Sequence, residues 1–149
     1  MEAVILIGIQ ASGKSSFYKE RFFETHVRIN LDMLKTKHRQ SVLLDACLAV
    51  KQPFVVDNTN VTAEMRSHFI SVARAAGFRV VGYYFRSDVS SGLSRNSKRE
   101  ERVRVPDKGL LGTYKQLQLP SREEGFDALY YVRIDAAGGF VVEEWLDEV

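Results

Sequence analysis

A single cysteine, Cys47, leaves this 149-residue chain no means of forming an internal disulfide. Its three histidines, His26, His38 and His68, are scattered without metal-ligand spacing, which argues against a zinc enzyme or a structural metal. Long apolar runs are missing as well. Nothing approaches the roughly 18 consecutive residues that a membrane-spanning helix requires, and the apolar start runs into a glycine motif rather than a cleavage site. A soluble, cytoplasmic protein without a membrane partner is expected. No internal repeat or low-complexity linker interrupts the chain, so residues 1–149 read as one domain with its own core, 45% hydrophobic and 27% charged. Charge of one sign is also lacking: 21 basic against 19 acidic residues give +2, too little by itself to argue for nucleic acid.

The distribution of charge says more than its sum. Residues 86–120 carry eight basic and four acidic side chains, whereas residues 121–149 carry two and eight. The basic stretch is a candidate for phosphate contact, or else a solvated helix face.

Strands and helices alternate along the chain. Val4-Ile5-Leu6-Ile7 reads as a strand buried on both faces of a parallel sheet. A helix is expected from Lys14 to about Glu24, then a short strand Val27-Arg28-Ile29. Val42, Leu43, Ala46, Cys47 and Val50 predict a helix over residues 39–51 with these positions on one face, stopped by Pro53. Phe54-Val55-Val56 is a third strand. Thr62 can cap a helix whose inner face is Met65, Phe69, Val72, Ala73 and Ala76, with Gly77 as its stop. Val80 to Phe85 and Leu129 to Ile134 are strands, helices are expected from about Asp88 and from Asp107 to Leu117, and Ala137-Gly138-Gly139 turns the chain into Phe140-Val141-Val142. The alternation implies a three-layer α/β fold with a mostly parallel central sheet.

Gly8-Ile9-Gln10-Ala11-Ser12-Gly13-Lys14-Ser15 matches G-x-x-x-x-G-K-[ST] between a predicted strand and a predicted helix. Glycines let the backbone curl its N–H groups around phosphate oxygens, and the helix N-terminus adds positive potential. Gly8, Ala11, Ser12, Gly13, Lys14, Ser15 and Ser16 are therefore expected to bind ATP. Lys14 would bridge β- and γ-phosphates, and Ser15 would ligate Mg²⁺. No guanine-reading N-K-x-D element is present, which sets a GTPase aside and leaves a compact phosphotransferase.

In an open parallel sheet, ligands collect beyond the carboxyl ends of the strands, where Gly8, Asp32 and Asp57 all fall. Phosphoryl transfer to an alcohol needs a carboxylate to take the hydroxyl proton, and positive charge around the transferring group. Asp32 suits the first need, or it caps a helix ahead of Met33-Leu34-Lys35. Asp57 could hold a magnesium-bound water, or form a turn in Asp-Asn-Thr-Asn. Arg95, Lys98, Arg99, Arg102 and Arg104 form a basic group before Pro106. Arg95, Arg99 and Arg102 would share a face while the helix persists, so a small basic lid is expected to close them over the phosphates.

Taken together, the P-loop, Asn30-Leu31-Asp32, Asp57-Asn58-Thr59-Asn60, Arg95-Asn96-Ser97-Lys98-Arg99, Val105-Pro106 and Pro120 followed by Glu124-Gly125-Phe126 resemble the 5′-kinase domain of polynucleotide kinases. That domain lies within the zeta-toxin-like and AAA_33 P-loop kinases, and the resemblance covers about residues 3–135. It implies a nucleotide-kinase-like P-loop NTPase fold, with Asp32 as the general base for a 5′-hydroxyl and Lys35 on substrate phosphate. It also implies that Asn58, Thr59 and Asn60 shape the acceptor site with Asp57, and that Arg95 and Arg99 act as lid arginines. Leu31 stands where polynucleotide kinases often carry arginine. Three functions follow from these residues: an ATP- and Mg²⁺-dependent kinase acting on a DNA or RNA 5′-hydroxyl, a kinase of a sugar, nucleoside or nucleotide-sugar, or an ATP-binding switch that transfers no phosphate.

Overall fold

The structure is a computed structural model that describes residues 1–101 and 104–146. Six strands form one sheet: β1 (Glu2–Ile7), β2 (Val27–Ile29), β3 (Phe54–Val56), β4 (Arg79–Phe85), β5 (Ala128–Ile134) and β6 (Phe140–Glu144). Their order is β2-β3-β1-β4-β5-β6; the first five are parallel and β6 runs antiparallel to β5. The expected α/β fold with a mostly parallel central sheet is observed.

β1 sits between β3 and β4, which explains its unbroken apolar run. Ala3, Ile5 and Ile7 point to one face and Val4 and Leu6 to the other, and all five are buried. The first face is covered by α3 (Lys37–Val50) and α4 (Ala63–Ala75), which contribute Leu44, Cys47, Phe69, Ile70 and Ala73. The second is covered by α1 (Lys14–Arg21) through Phe17 and Tyr18, with Phe22 just beyond its end. Phe17 packs edge-on against Phe22, Phe85 and Phe140, with ring centroids 5.1–5.8 Å apart.

Three sequence expectations are corrected. Helix α1 ends at Arg21, because Phe22 leaves helical geometry and a turn leads to β2. In α3 the inner face is Leu44 and Cys47 with Leu43 and Leu48 at its margin, while Val42 and Val50 are exposed. The helix is thus rotated from its expected orientation. In α4, Thr62 caps as expected, its hydroxyl accepting the Met65 N–H at 3.2 Å, but Met65 is exposed and Arg66 is fully buried. Arg66 escapes the cost of an unpaired buried charge because Nε and Nη2 reach the Glu124 carboxylate at 2.8 and 3.1 Å, and Nη1 donates to the Asn60 carbonyl.

Short elements carry the remaining chain. Asn30 caps α2 (Leu31–Leu34), and Asp88 caps α5 (Val89–Ser97). Helix α6 (Asp107–Gln116) packs on α5, and a 3₁₀ turn (Arg122–Glu124) held by a Ser121–Glu124 capping box leads to β5. No helix among the described residues is long and apolar enough to cross a membrane.

Gly82 in β4 is fixed by packing rather than by its dihedrals. A Cβ there would lie 2.6 Å from Phe126 Cε1 and 2.8 Å from Leu129 Cδ1. Gly82→Ala is expected to cost about 1–3 kcal/mol through overpacking, read as a lowered midpoint of denaturant unfolding; an unchanged midpoint would refute the tight fit.

Candidate active site

The carboxyl edge of the sheet gathers the loops after β1, β2 and β3. The Gly8–Gly13 loop turns through Ala11 at φ 60° and Gly13 at φ 105°, left-handed conformations that cost glycine little and alanine more. Gly13 then opens α1, whose first residue is Lys14. The Lys14 ammonium is buried and donates to the carbonyls of Gly8 (2.9 Å) and Ile9 (2.7 Å), with Ser12 Oγ at 3.4 Å.

Asp57 follows β3 and is also buried. Its Oδ2 accepts from the Ser15 hydroxyl at 2.9 Å, so the sequence pair expected to serve a metal is brought together. Both are hard oxygen donors of the kind Mg²⁺ takes, and they adjoin the phosphate loop. Two cross-ties hold this arrangement: the Gly8 N–H donates to the Thr59 carbonyl at 2.9 Å, and Asn60 Nδ2 donates to the Leu6 carbonyl at 2.8 Å. Asn60 is buried, and its amide group is spent on backbone.

The sequence profile of the AAA domain family AAA_33 matches residues 4–120. The chain belongs to that family. This AAA_33 domain is 28% identical over 129 residues to the bifunctional polynucleotide phosphatase/kinase of Schizosaccharomyces pombe, in an alignment covering 84% of this chain and 32% of that protein. It therefore spans about a third of the length of that curated relative. Among solved structures it resembles a gluconokinase from Sinorhizobium meliloti, with TM-score 0.64 and 17% identity over 89% of this chain and 82% of that one. It likewise resembles Chaetomium thermophilum Kti12 in complex with ADP-AlF3, with TM-score 0.67 and 13% identity over 91% and 92% of the two chains. These likenesses show that the α/β fold is shared.

In the AAA_33 domain, Asp32 stands exposed in the short helix α2 beyond β2. It is not the cap; Asn30 is, accepting the Met33 N–H at 2.8 Å. Asn30 Nδ2 also donates to the Asp57 carbonyl, the Leu31 N–H donates to Asn58 Oδ1 at 2.8 Å, and Asn58 Nδ2 donates to Gln40 Oε1 at 2.8 Å. Asn58 thus fixes the helix that carries Asp32. Lys35 ends α2 at φ 74° and is exposed, as are Lys37 and Arg39 on the next helix.

The segment expected to form a lid carries α5 and α6. Arg95 Nε donates to the Ala11 carbonyl at 2.6 Å, so this arginine already touches the P-loop. Burial holds its guanidinium below the usual arginine range, with Asp88 opposing the shift. Arg99 lies beyond the end of α5 at Ser97, so helical spacing does not align it with Arg95; Arg102 lies outside the described residues. Lys98 and Arg104 are exposed, and Arg104 donates to the Ser97 and Arg99 carbonyls at 3.0 and 3.2 Å. Ser16 is exposed at the start of α1. A small concavity beside the P-loop is lined by Ser12, Arg86, Asp88, Ser91, Arg95 and Arg133.

Four positions make contacts that the sequence reading did not assign to them. Arg28 donates from Nε to Asp57 Oδ2 at 2.9 Å and from Nη2 to Ser15 Oγ at 3.1 Å. A lone charge inside the apolar strand Val27-Arg28-Ile29 was its only signal. Asn96, fully buried, clasps the Val105 backbone through both its amide groups and so ties α5 to the approach of α6. Ser87 accepts the Ile9 N–H at 3.2 Å, and Gln10 Nε2 donates to Thr113 Oγ1 at 2.8 Å, joining the P-loop to the lid.

Burial pushes the Lys14 ammonium down to about 8 from 10.5; Asp57 and Asp32 pull it back up, and Arg99 pushes it further down. Because the folded value lies below the unfolded one, the charged form opposes folding. That penalty is full below pH 8 and fades as pH rises towards 10.5. Phosphate oxygens would favour the ammonium again, so nucleotide binding above pH 8 takes up a proton. We expect nucleotide affinity to fall by up to about tenfold per pH unit above pH 8, with calorimetric enthalpies that depend on buffer. Lys14→Arg, permanently charged, should lack that slope.

Proposed function

We propose that this domain transfers the γ-phosphate of ATP to an alcohol, with the 5′-hydroxyl of a polynucleotide as the favoured acceptor. The observation that carries the proposal is the exposed Asp32 carboxylate, fixed by Asn30 and Asn58 beside the P-loop cation Lys14 and the hydrogen-bonded pair of Ser15 and the buried Asp57. A switch that only binds ATP has no use for a carboxylate held in that place.

The P-loop N–H groups and Lys14 hold the β- and γ-phosphates; Lys14 exchanges its bonds to the Gly8 and Ile9 carbonyls for phosphate oxygens. Ser15 and Asp57 would hold Mg²⁺, which neutralises charge on those phosphates when bound. Asp32 accepts the acceptor's hydroxyl proton as the oxygen attacks. Arg95 and Arg99 engage the phosphates from the lid and exclude water. The concavity lined by Ser12, Asp88 and Arg133 takes the nucleoside end of the donor. Asn58, Thr59 and Asn60 act as positioning residues, since each bonds to the protein frame.

Two observations favour a polynucleotide. Lys35, Lys37 and Arg39 lie exposed along the α2–α3 junction next to Asp32, a set of cations suited to successive phosphates. The S. pombe relative is named as a polynucleotide phosphatase/kinase.

The test is transfer of radiolabelled γ-phosphate from ATP with Mg²⁺ to 5′-hydroxyl DNA and RNA oligonucleotides, set beside nucleosides, sugars and nucleotide-sugars. Label should appear on oligonucleotide 5′ ends, and Asp32→Ala should lower turnover at least about a hundredfold while ATP binding persists. Label on a small molecule alone would transfer the proposal to metabolite phosphorylation. Near-normal turnover in the variant would remove Asp32 as the base. Oligonucleotide affinity should fall steeply with salt, and replacing Lys35, Lys37 and Arg39 with glutamine should flatten that slope.

A further inference from the structure

Arg28 belongs to the edge strand β2, in register with Val55, so it emerges on the face of the sheet that carries α1. From there its guanidinium reaches Asp57 Oδ2 (2.9 Å) and Ser15 Oγ (3.1 Å), while Ser15 Oγ itself donates to Asp57 Oδ2 (2.9 Å). The three groups form a closed ring. The serine proton is committed to Asp57, and the serine oxygen accepts from Arg28. Asp57 has a side chain only 1% exposed, so its charge is balanced from within the protein rather than by solvent.

A divalent cation held by Ser15 Oγ and Asp57 Oδ2 would compete with Arg28 for those oxygens. The surrounding charges also work against a bare ion. Asp57 and Asp32 are outnumbered by Lys14, Arg28 and Arg99, all of which bear on this site. A nucleotide reverses that balance by delivering several negative phosphate charges to the P-loop. The outer nitrogen of Arg28 lies 3.9 Å from Met33 Sδ on α2, so the guanidinium has a path away from Asp57 along the exposed side of that helix.

We propose that Arg28 is a resident counter-cation: it bars free Mg²⁺ from Ser15 and Asp57 and yields only when the metal arrives together with nucleotide phosphates. Metal and donor nucleotide are then bound as a coupled pair, and the empty domain does not collect divalent ions. This rests on the reading of Ser15 and Asp57 as the metal pair. It assigns Arg28 a positioning role, exerted through those two residues.

The experiment measures Mn²⁺ binding by electron paramagnetic resonance, with and without ADP, on the full chain and three variants. Without nucleotide, wild type should bind Mn²⁺ weakly and Arg28→Gln at least about tenfold more tightly, the scale of one lost charge-assisted contact. Arg28→Lys, which keeps the charge, should stay near wild type. Adding Asp57→Asn to Arg28→Gln should abolish the gain, which fixes the site. ADP should strengthen Mn²⁺ binding strongly in wild type and less in Arg28→Gln, by the factor already gained without nucleotide.

Equal Mn²⁺ affinity in wild type and Arg28→Gln, with Mn²⁺–ADP still bound, would overturn the role of Arg28 alone. A gain that survives Asp57→Asn would do the same. Failure of all the proteins to bind Mn²⁺ with ADP would overturn the metal pair itself, and the inference with it. Should Arg28→Gln prove unfolded by circular dichroism, the Arg28 Nε–H resonance of wild type decides. It should be unmoved by millimolar Mg²⁺ alone and shifted by Mg²⁺ with ADP; a shift with Mg²⁺ alone would overturn the proposal.

Discussion

The site depends on the stitching of two loops that leave neighbouring strands. The Gly8 N–H bonds the Thr59 carbonyl, and the Asn60 amide bonds the Leu6 carbonyl, so the ends of β1 and β3 cannot move apart. Lys14 and Ser15 open the helix that follows the first loop, and Asp57 begins the second loop. The seam is braced in turn from behind, where the buried Arg66 guanidinium holds the Asn60 carbonyl and pairs in a fork with Glu124. Glu124 is itself fixed by the Ser121 capping box. A path of bonds thus runs from the 3₁₀ turn before β5 to the P-loop, and the candidate active site inherits the rigidity of the sheet.

Three cations around the phosphate loop share one condition. Lys14 rests on the Gly8 and Ile9 carbonyls, Arg95 on the Ala11 carbonyl, and Arg28 on Asp57 and Ser15. Each has a partner within the protein, which limits the repulsion that gathering them would otherwise create. For Lys14 and Arg95, whose partners are backbone carbonyls beside the phosphate loop, exchange of those acceptors for phosphate oxygens would call for little reorganisation.

Local chemistry was legible in the sequence and long-range pairing was not. The P-loop, the strand ends at Gly8, Asp32 and Asp57, the cap at Thr62 and the helix start near Asp88 all rest on neighbours within a few residues, and the structure places them as expected. The inner face of α3 was misjudged because Val42 and Val50 are apolar yet exposed, leaving Leu44 and Cys47 to pack on the sheet. Arg66 was passed over since a charge on an inner face makes sense only with Glu124, 58 residues away. Arg28 is similar: its partner Asp57 is 29 residues on. Asn96 and Val105 bond across a bend that no helical period describes, and Arg99 leaves the spacing of α5 for the same reason.

The lone tryptophan gives this fold a built-in optical probe, and its position decides what that probe reports. Trp145 is buried beyond the end of β6, packed edge-on to Tyr84 with ring centroids 5.4 Å apart and near Tyr131 at 6.4 Å. Its backbone N–H donates to the Leu129 carbonyl and its backbone carbonyl accepts from Arg122. The indole therefore sits in the core beneath α4's face of the sheet, among tyrosines that can pass excitation to it. Its emission follows the integrity of the β4–β5–β6 seam.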